Sequence, residues 1–285
     1  MNLEILVGEI SLQDLFKNNV KDKLTGKVDL KNLIYLIIRG GWPQSIGMNE
    51  EEARELTQSY INDVLNFDIS AIDGVARDIN KMRMILRAIA RNEGTIVNDN
   101  TIIRDVNEDD DVASKNTVLE YIDVLEKLHL IENQIAFSVN LRSSSRVGKS
   151  AKRHFTDPSL ACGILGLTTE NLLNDINFLG FLFESLCERD LRTYIESYNG
   201  NLYHFRDNTT GLEIDSIVEM PNGEYGAIEI KLGTNQLEEA AENLLKFNKL
   251  VEKKPKFLCI ISGLHEAIIK RPDGIYVIPI TALKN

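Results

Sequence analysis

Three ionisable residues in the second half of the chain have the types and the spacing to perform chemistry: Asp215, Glu229 and Lys231. They lie on two stretches, 211–219 and 225–232, whose β-branched and alternating residues are typical of strands. The short segment between the stretches is rich in turn-forming residues, which predicts a hairpin. Because Glu229 and Lys231 are two positions apart, they share one face of their strand.

The register of this hairpin brings two acids together. If the hairpin folds symmetrically about Asn222, Asp215 lies opposite Glu229 and Glu213 lies opposite Lys231. Directly opposed side chains are about 5 Å apart, where two carboxylates repel by roughly 3 kcal/mol at an effective dielectric near 20. A divalent cation, a shared proton or Lys231 could offset this repulsion. The alternative is a Glu213–Lys231 salt bridge on a solvated face, with Asp215 leaning away.

A third acid precedes the hairpin on a predicted helix. The segment 177–196 contains no proline and has the pattern of a helix, with Glu184 in its middle and Glu188 one turn later. The face that Glu184 occupies is otherwise largely apolar, and a carboxylate there is costly unless it is paired or binds a metal. The alternative is a glutamate at the edge of the apolar stripe with its carboxylate in solvent.

A helix with Glu, a strand with Asp and a strand with Glu-x-Lys resemble the PD-(D/E)XK signature of restriction-endonuclease-like nucleases. This resemblance implies that Asp215, Glu229 and Glu184 hold Mg²⁺ or Mn²⁺ and that Lys231 orients the attacking water. It also implies an α/β domain with a central mixed sheet. The predicted elements follow the same order: helix 177–197, strands 201–206, 212–219 and 225–232, helix 235–250, and strands 256–262 and 274–280.

A closer resemblance covers nearly the whole chain. Several short segments resemble a bacterial and archaeal family of unknown function in which this region follows an AAA-type ATPase domain. The segments are Arg39–Pro43, Arg91–Thr95, Phe155–Ala161, Gly180–Leu186, Tyr203–Asp207 and Ala227–Gly233. The resemblance implies an AAA-type ATPase as a partner, either acting in trans or as a domain missing from this sequence.

The first half of the chain is predicted to be helical over residues 1–140, with a winged helix at about 78–140. Its third helix is capped by Ser114, and the stretches 130–132 and 134–137 are expected to pair across Asn133 as the wing. In DNA-binding winged helices the third helix enters the major groove. Half of the exposed residues on this helix are acids, which favours a protein-contact or spacer role over base reading.

A basic linker loop is predicted at 141–156, ahead of a nuclease-like domain at 157–285. The segment from Asn133 to Thr156 contains no acid, so the loop is either a phosphate-contacting surface or a solvated linker. Arg206, on the strand before Asp215, either contacts a scissile phosphate or pairs with Asp207 or Glu213. The candidate nucleic-acid-binding residues are therefore Arg142, Arg146, Lys149, Lys152, Arg153 and Arg206.

Composition limits the class of protein. The chain has 285 residues, 43% of them apolar, and a net charge of −11, which argues against non-specific nucleic-acid binding by the whole surface. Its apolar runs are shorter than a membrane helix needs, its start does not resemble a signal peptide, and its three cysteines are isolated. These features predict a cytoplasmic protein without a zinc site and without membrane partners.

Gly148-Lys149-Ser150 resembles the end of a phosphate-binding loop, but Ser143 occupies its first glycine position, so no ATPase activity is expected.

Together these patterns predict an α+β protein with a helical, winged-helix N-terminal domain and a restriction-endonuclease-like domain. Two functions are compatible with it. The first is a Mg²⁺-dependent nuclease that hydrolyses DNA or RNA. The second is a non-catalytic binding or regulatory module of an AAA-type ATPase, which uses the same folds for partner or nucleic-acid contacts.

Overall fold

The computed structural model describes residues 10–96, 98–107, 113–138 and 151–284. In these residues the chain forms an α+β fold with eleven α-helices and eleven strands. The helices are α1 Leu12–Phe16, α2 Leu30–Arg39, α3 Glu50–Asp63, α4 Ile69–Ala71, α5 Ile79–Arg91, α6 Asp99–Val106, α7 Lys115–Lys127, α8 Pro158–Leu165, α9 Thr169–Asn174, α10 Ile176–Ser197 and α11 Leu237–Leu250. The strands are β1 Ile10–Ser11, β2 Lys23–Leu24, β3 Ile131–Gln134, β4 Lys152–Phe155, β5 Asn201–Arg206, β6 Glu213–Glu219, β7 Tyr225–Lys231, β8 Leu258–Ser262, β9 Ala267–Lys270, β10 Tyr276–Pro279 and β11 Leu283–Lys284.

Side-chain caps fix where two of these helices begin. At α3 the Asn49 side chain accepts a hydrogen bond from the Glu52 amide (3.0 Å), and the Glu52 carboxylate accepts one from the Asn49 amide (2.8 Å). This reciprocal pair of hydrogen bonds is a capping box, and it satisfies two amides that have no partner within the helix. The Ser114 hydroxyl likewise accepts from the Thr117 amide at the start of α7, as predicted. Beyond α3 the helix widens into one π-helical turn, Val64–Asp68.

The chain divides into two compact units, and the first holds residues from 1–33, 134–149 and 186–285. Its seven-stranded sheet has the order β2-β9-β10-β8-β7-β6-β5. The pairs β7–β8 and β8–β10 are parallel and the others are antiparallel, so the sheet is mixed, as predicted. Because β7 and β8 are parallel, the connection between them must return along the sheet, and α11 makes that return.

Aromatic residues dominate the packing between α11 and this sheet. Phe247 of α11 is fully buried and lies 4.8 Å, ring centroid to centroid, from Phe205 of β5 and 6.4 Å from Tyr225 of β7. A Cβ atom at Gly226 would come within 2.1 Å of the Phe257 ring, so only glycine fits there. The core therefore fixes β7 tightly, and β7 carries two of the candidate site residues.

The second unit comprises residues 34–133 and 150–185 and is mainly helical. Helices α3 and α5 both pack against α8, and the approach of α3 is close because a Cβ at Gly163 would lie 2.9 Å from the Thr57 methyl. A loop contact also orders this unit. Asp157 accepts a hydrogen bond from the Gly41 amide (2.9 Å), and Trp42 donates from Nε1 to the Ser159 hydroxyl (2.9 Å).

The predicted wing hairpin across Asn133 is wrong. Residues Ile131–Gln134 form one continuous strand, β3, and its partner is β4, about twenty residues later in the chain. A hairpin normally needs at least two loop residues, and Asn133 alone cannot reverse the chain. Residues 152–155 are consequently a strand and not part of the predicted loop 141–156. Residues 141–150 lie outside the described residues.

None of the helices in the described ranges is long and apolar enough to cross a membrane.

Candidate active site

The β6–β7 hairpin has the register that the sequence predicts. Ser216 pairs with Ile228 and Glu219 pairs with Tyr225, which centres the hairpin on Asn222. Gly223 allows the turn because it adopts a φ of +77°, and the Gly223 amide donates to the Met220 carbonyl at 2.8 Å. Regular pairing ends at Ser216 and Ile228, and beyond it the Ile230 amide of β7 donates to the Asp215 side chain of β6.

Asp215, Glu229 and Lys231 converge at this end of the hairpin. The Asp215 carboxylate accepts hydrogen bonds from the Ile230 amide (2.7 Å) and from the Lys231 ammonium (3.0 Å). The same ammonium lies 2.6 Å from the Glu229 carboxylate. Lys231 therefore bridges the two acids, which is one of the three ways in which their repulsion could be offset.

The alternative pair, Glu213 with Lys231, is not the arrangement observed. Glu213 instead forms a salt bridge with Arg206 at 3.0 Å, across the pair of strands β5 and β6. Both side chains are more than 40% exposed, so this bridge contributes little to stability. Of the two roles considered for Arg206, the structure shows the salt bridge with Glu213. A contact of Arg206 with nucleic acid stays a prediction.

Burial makes the electrostatics of this cluster unusual. Only 2% of the Glu229 side chain is exposed, against 16% for Asp215 and 19% for Lys231. Burial, and next the charge of Asp215, raise the pKa of Glu229 to about 8 despite the neighbouring ammonium. Burial disfavours the charged form of Lys231, but Asp215 and Glu229 outweigh it and raise the pKa of Lys231 above its ordinary value.

When both of its carboxylates are ionised, the cluster carries one negative charge that Lys231 does not balance. Two carboxylates share one ammonium, so a neutral site needs one further proton or cation. Oxygen ligands are those that Mg²⁺ and Mn²⁺ prefer, and Mg²⁺ is usually held by one or two carboxylates with water as its other ligands. The donor set and the surplus charge both fit such an ion. Among the described residues no group of three or more His, Cys, Asp or Glu side chains is placed so that it could hold a metal ion.

Glu184, the helix acid that the resemblance assigns to the metal, has a cation beside it. Its carboxylate forms an ion pair with the Lys152 ammonium of β4, and both side chains are largely buried. Both residues belong to the second unit. The role of Glu184 as a metal ligand stays a prediction.

Glu188 is a candidate that the sequence did not single out. It lies one turn after Glu184 on α10, only 2% of the residue is exposed, and its carboxylate accepts a hydrogen bond from the Ser216 hydroxyl at 3.4 Å. Ser216 is the neighbour of Asp215 on β6. The signal was present in the sequence, because Glu184 and Glu188 are four residues apart and share one helix face. Only the packing of α10 distinguishes the two acids.

The basic residues proposed to bind nucleic acid are placed in part. Lys152 and Arg153 are on β4, whereas Arg142, Arg146 and Lys149 lie outside the described residues. Arg153 forms a salt bridge with Asp99 at 3.0 Å and donates from Nε to the Asn133 side chain at 3.2 Å. Lys152 and Arg153 thus both have acidic partners within the second unit, and their nucleic-acid contacts stay predictions.

Comparison with known families divides the chain in two. Residues 30–171 match the model of a domain of unknown function, DUF8612, and residues 179–283 match that of another, DUF4143. No curated protein matches the chain. Asp215, Glu229, Lys231 and both helix acids fall within the second match. The chain is therefore similar to two families of unknown function, DUF8612 over its first half and DUF4143 over its second.

Proposed function

We propose that this protein is a metal-dependent nuclease that hydrolyses phosphodiester bonds in DNA or RNA. The observation that carries the proposal is the convergence of Asp215, Glu229 and Lys231, a buried site in which two carboxylates share one ammonium and a proton or a further cation is needed for charge balance. An ion pair that only stabilised the fold would need one acid for one base. A second buried acid is expensive, and a bound cation supplies a reason for it.

The metal would be Mg²⁺ or Mn²⁺, held by Asp215 and Glu229 with a helix acid, either Glu184 or Glu188. When bound, such an ion polarises a phosphoryl oxygen and lowers the pKa of a bound water. In the hydrolysis the water oxygen forms a bond to phosphorus and the bond from phosphorus to one sugar oxygen breaks. The proton lost by the water passes to solvent, and the departing sugar oxygen takes up a proton.

The charge state of Lys231 defines what it can do. Its pKa is raised by the two carboxylates, so it keeps its proton at neutral pH and cannot act as the general base. It can donate hydrogen bonds to an attacking water and offset the negative charge that develops on the phosphate oxygens. The hydrogen bond from the Ile230 amide to Asp215 meanwhile holds that carboxylate in place while the ammonium turns toward a substrate.

The test is cleavage of labelled single-stranded DNA, duplex DNA and RNA by the full chain, with EDTA, Mg²⁺ or Mn²⁺. We expect cleavage only with a divalent cation and its loss in Asp215→Asn and Lys231→Ala. Glu239→Gln is the matched control, because Glu239 is an exposed glutamate on α11. Cleavage that persists equally in Asp215→Asn would show that a contaminating nuclease is responsible. A protein that is folded yet cleaves none of the three substrates would overturn the proposal.

Lys231→Ala also separates binding from chemistry. Since Lys231 acts on water and phosphate, this variant should keep a Mn²⁺-dependent rise of the melting temperature while losing cleavage. Asp215→Asn should lose both. An equal loss of the metal response in the two variants would mean that the cluster fails to assemble without Lys231.

The second candidate function is a non-catalytic module of an AAA-type ATPase. DUF4143 is commonly found in proteins associated with AAA ATPases, which favours such a partner in trans or as a missing domain. In that case the Lys231 bridge is a structural ion-pair network. A melting temperature that millimolar Mg²⁺ and Mn²⁺ leave unchanged, together with stable binding to an AAA-type ATPase, would favour this candidate.

We also infer a winged helix from α5, α6 and α7, with β3 and β4 as a wing assembled from distant parts of the chain. The surface acids of α7 already have cationic partners: Asp123 contacts Lys127 at 2.5 Å and Glu120 contacts Arg77 at 3.1 Å. A DNA-reading helix would present unpaired cations to phosphate. The pairing therefore supports contact with protein over contact with DNA for this helix.

A further inference from the structure

A cavity in the second unit combines an apolar floor with a cationic rim. Its volume is about 290 Å³, close to the lower limit of small-molecule sites, which is roughly 300 Å³. Helices α3, α5 and α8 line it on the side of the protein, and the π-helical turn contributes Leu65 to its wall. Ile61, Leu65 and Leu86 form the apolar part, and all three are buried.

The rim carries two arginines and no acid. Arg83 and Arg87 are one helical turn apart on α5, so their side chains are neighbours on one face. Arg83 donates from Nη2 to the Asn62 side chain at 2.8 Å, which holds its guanidinium against α3 at the edge of the cavity. The structure shows no salt bridge from either arginine to a described acid. The lining of this cavity is therefore positively charged, in a chain whose net charge is −11.

The shape of the wall also depends on two features of the backbone. Gly163 of α8 lines the cavity, and any side chain there would press on Thr57 and Ile61 of α3. In the π-helical turn the Ile69 amide donates to the Val64 carbonyl, five residues earlier. Such turns are rare and occur frequently at functional sites.

We propose that this cavity binds a phosphate monoester with a small apolar or planar body. A phosphate monoester carries about −1.5 to −2 charges at neutral pH, which two guanidinium groups can match, whereas a carboxylate needs only one. The fork of each arginine can donate two hydrogen bonds to phosphate oxygens. The body of the ligand lies on the apolar floor, and the Gln58 amide offers a hydrogen bond to a polar edge. The site uses none of the residues of the proposed nuclease centre.

The experiment is calorimetric titration of the full chain with phenyl phosphate, with inorganic phosphate and phenol as partial ligands. We expect saturable binding of phenyl phosphate, at least about tenfold weaker binding of phosphate alone, and no binding of phenol. Arg83→Gln and Arg87→Gln should each weaken phenyl phosphate binding roughly tenfold or more, because each removes a charge-assisted hydrogen bond. The matched control is Arg104→Gln, an exposed arginine on α6 that does not line the cavity.

Three results would overturn the proposal. Equal affinity for phosphate and phenyl phosphate would show that the apolar floor contributes nothing. An equal effect of Arg104→Gln would reduce the binding to general electrostatics. Binding of a polyglutamate peptide through Arg83 and Arg87, with no binding of phenyl phosphate, would assign the rim to an acidic protein partner instead. Circular dichroism of each variant checks that α5 remains folded.

Discussion

Replacing Glu229 by glutamine should change how the stability of the apo protein depends on pH. In the folded protein the pKa of Glu229 is raised to about 8, from an ordinary value of 4.5. A raised carboxyl pKa means that the folded state holds a proton that the unfolded state releases. The free energy of unfolding therefore falls as pH rises from about 4.5 to about 8, and the loss is complete above that range. Glutamine does not titrate, so Glu229→Gln removes this loss.

The size of the effect follows from the same values. One unit of pKa shift corresponds to about 1.36 kcal/mol, so an interval from 4.5 to about 8 gives at most roughly 4–5 kcal/mol. At pH 5 most of this loss has yet to appear. Relative to the native protein, Glu229→Gln should gain about 3 kcal/mol of stability between pH 5 and pH 8. Because 2% of the side chain is exposed, screening by solvent does not reduce the effect greatly.

The assay is urea unfolding at half-unit pH steps from 5 to 9, with EDTA and with 10 mM Mg²⁺. In Mg²⁺ the native curve should flatten, because a bound cation favours the ionised carboxylate and lowers its pKa. Glu239→Gln serves as the control and should track the native protein at every pH. If the stabilities of native protein and Glu229→Gln stay parallel across the range, Glu229 does not hold a proton at neutral pH. The raised pKa of Glu229, and the release of its proton on metal binding, would then be wrong.

Three further outcomes are expected. Lys231→Met should destabilise the apo protein by about 3–5 kcal/mol, because it leaves two acids without their cation, and millimolar Mn²⁺ should restore part of the loss in a thermal melt. Glu188→Gln should reduce the Mn²⁺-dependent melting shift more than Glu184→Gln does, and the reverse order would assign the helix ligand to Glu184. Asp157→Asn should cost about 1–3 kcal/mol in urea unfolding, because Asp157 accepts the Gly41 amide and caps α8, and an unchanged midpoint would show that this contact is dispensable.

The sequence predicts the hairpin and its site well for a physical reason. The alternation of side chains has a period of two, so a slip of one residue would move Ile228 to the face that Glu229 now occupies. The glycine-containing turn then sets the centre of the hairpin at Asn222. Strand β5 begins and ends at the predicted residues, because it too is bounded by turn signals on both sides. Local patterns suffice wherever the partner strand is the next one along the chain.

Pairing between distant segments is what local patterns miss. Strand β3 looks like half of a hairpin because its neighbours in sequence are apolar, yet its partner is β4, about twenty residues later in the chain. Local patterns also cannot distinguish Glu184 from Glu188, since both lie on one face of α10 and both carry a carboxylate. Their surroundings differ: Lys152 neutralises one and Ser216 hydrogen-bonds to the other. Those surroundings are contributed by strands that no periodicity connects to the helix.

The same electrostatics connect the fold of the hairpin to its proposed chemistry. Core packing forces Glu229 into a buried position, since β7 is held between β6 and β8 and by the Gly226–Phe257 contact. Once buried, Glu229 cannot relax away from Asp215, and Lys231 alone leaves one charge uncompensated. A proton can balance that charge below about pH 8, but a divalent cation balances it while leaving both carboxylates ionised. An apo site that resists ionisation is therefore a site in which metal binding should release protons, and the pH of unbuffered protein should fall when Mg²⁺ is added.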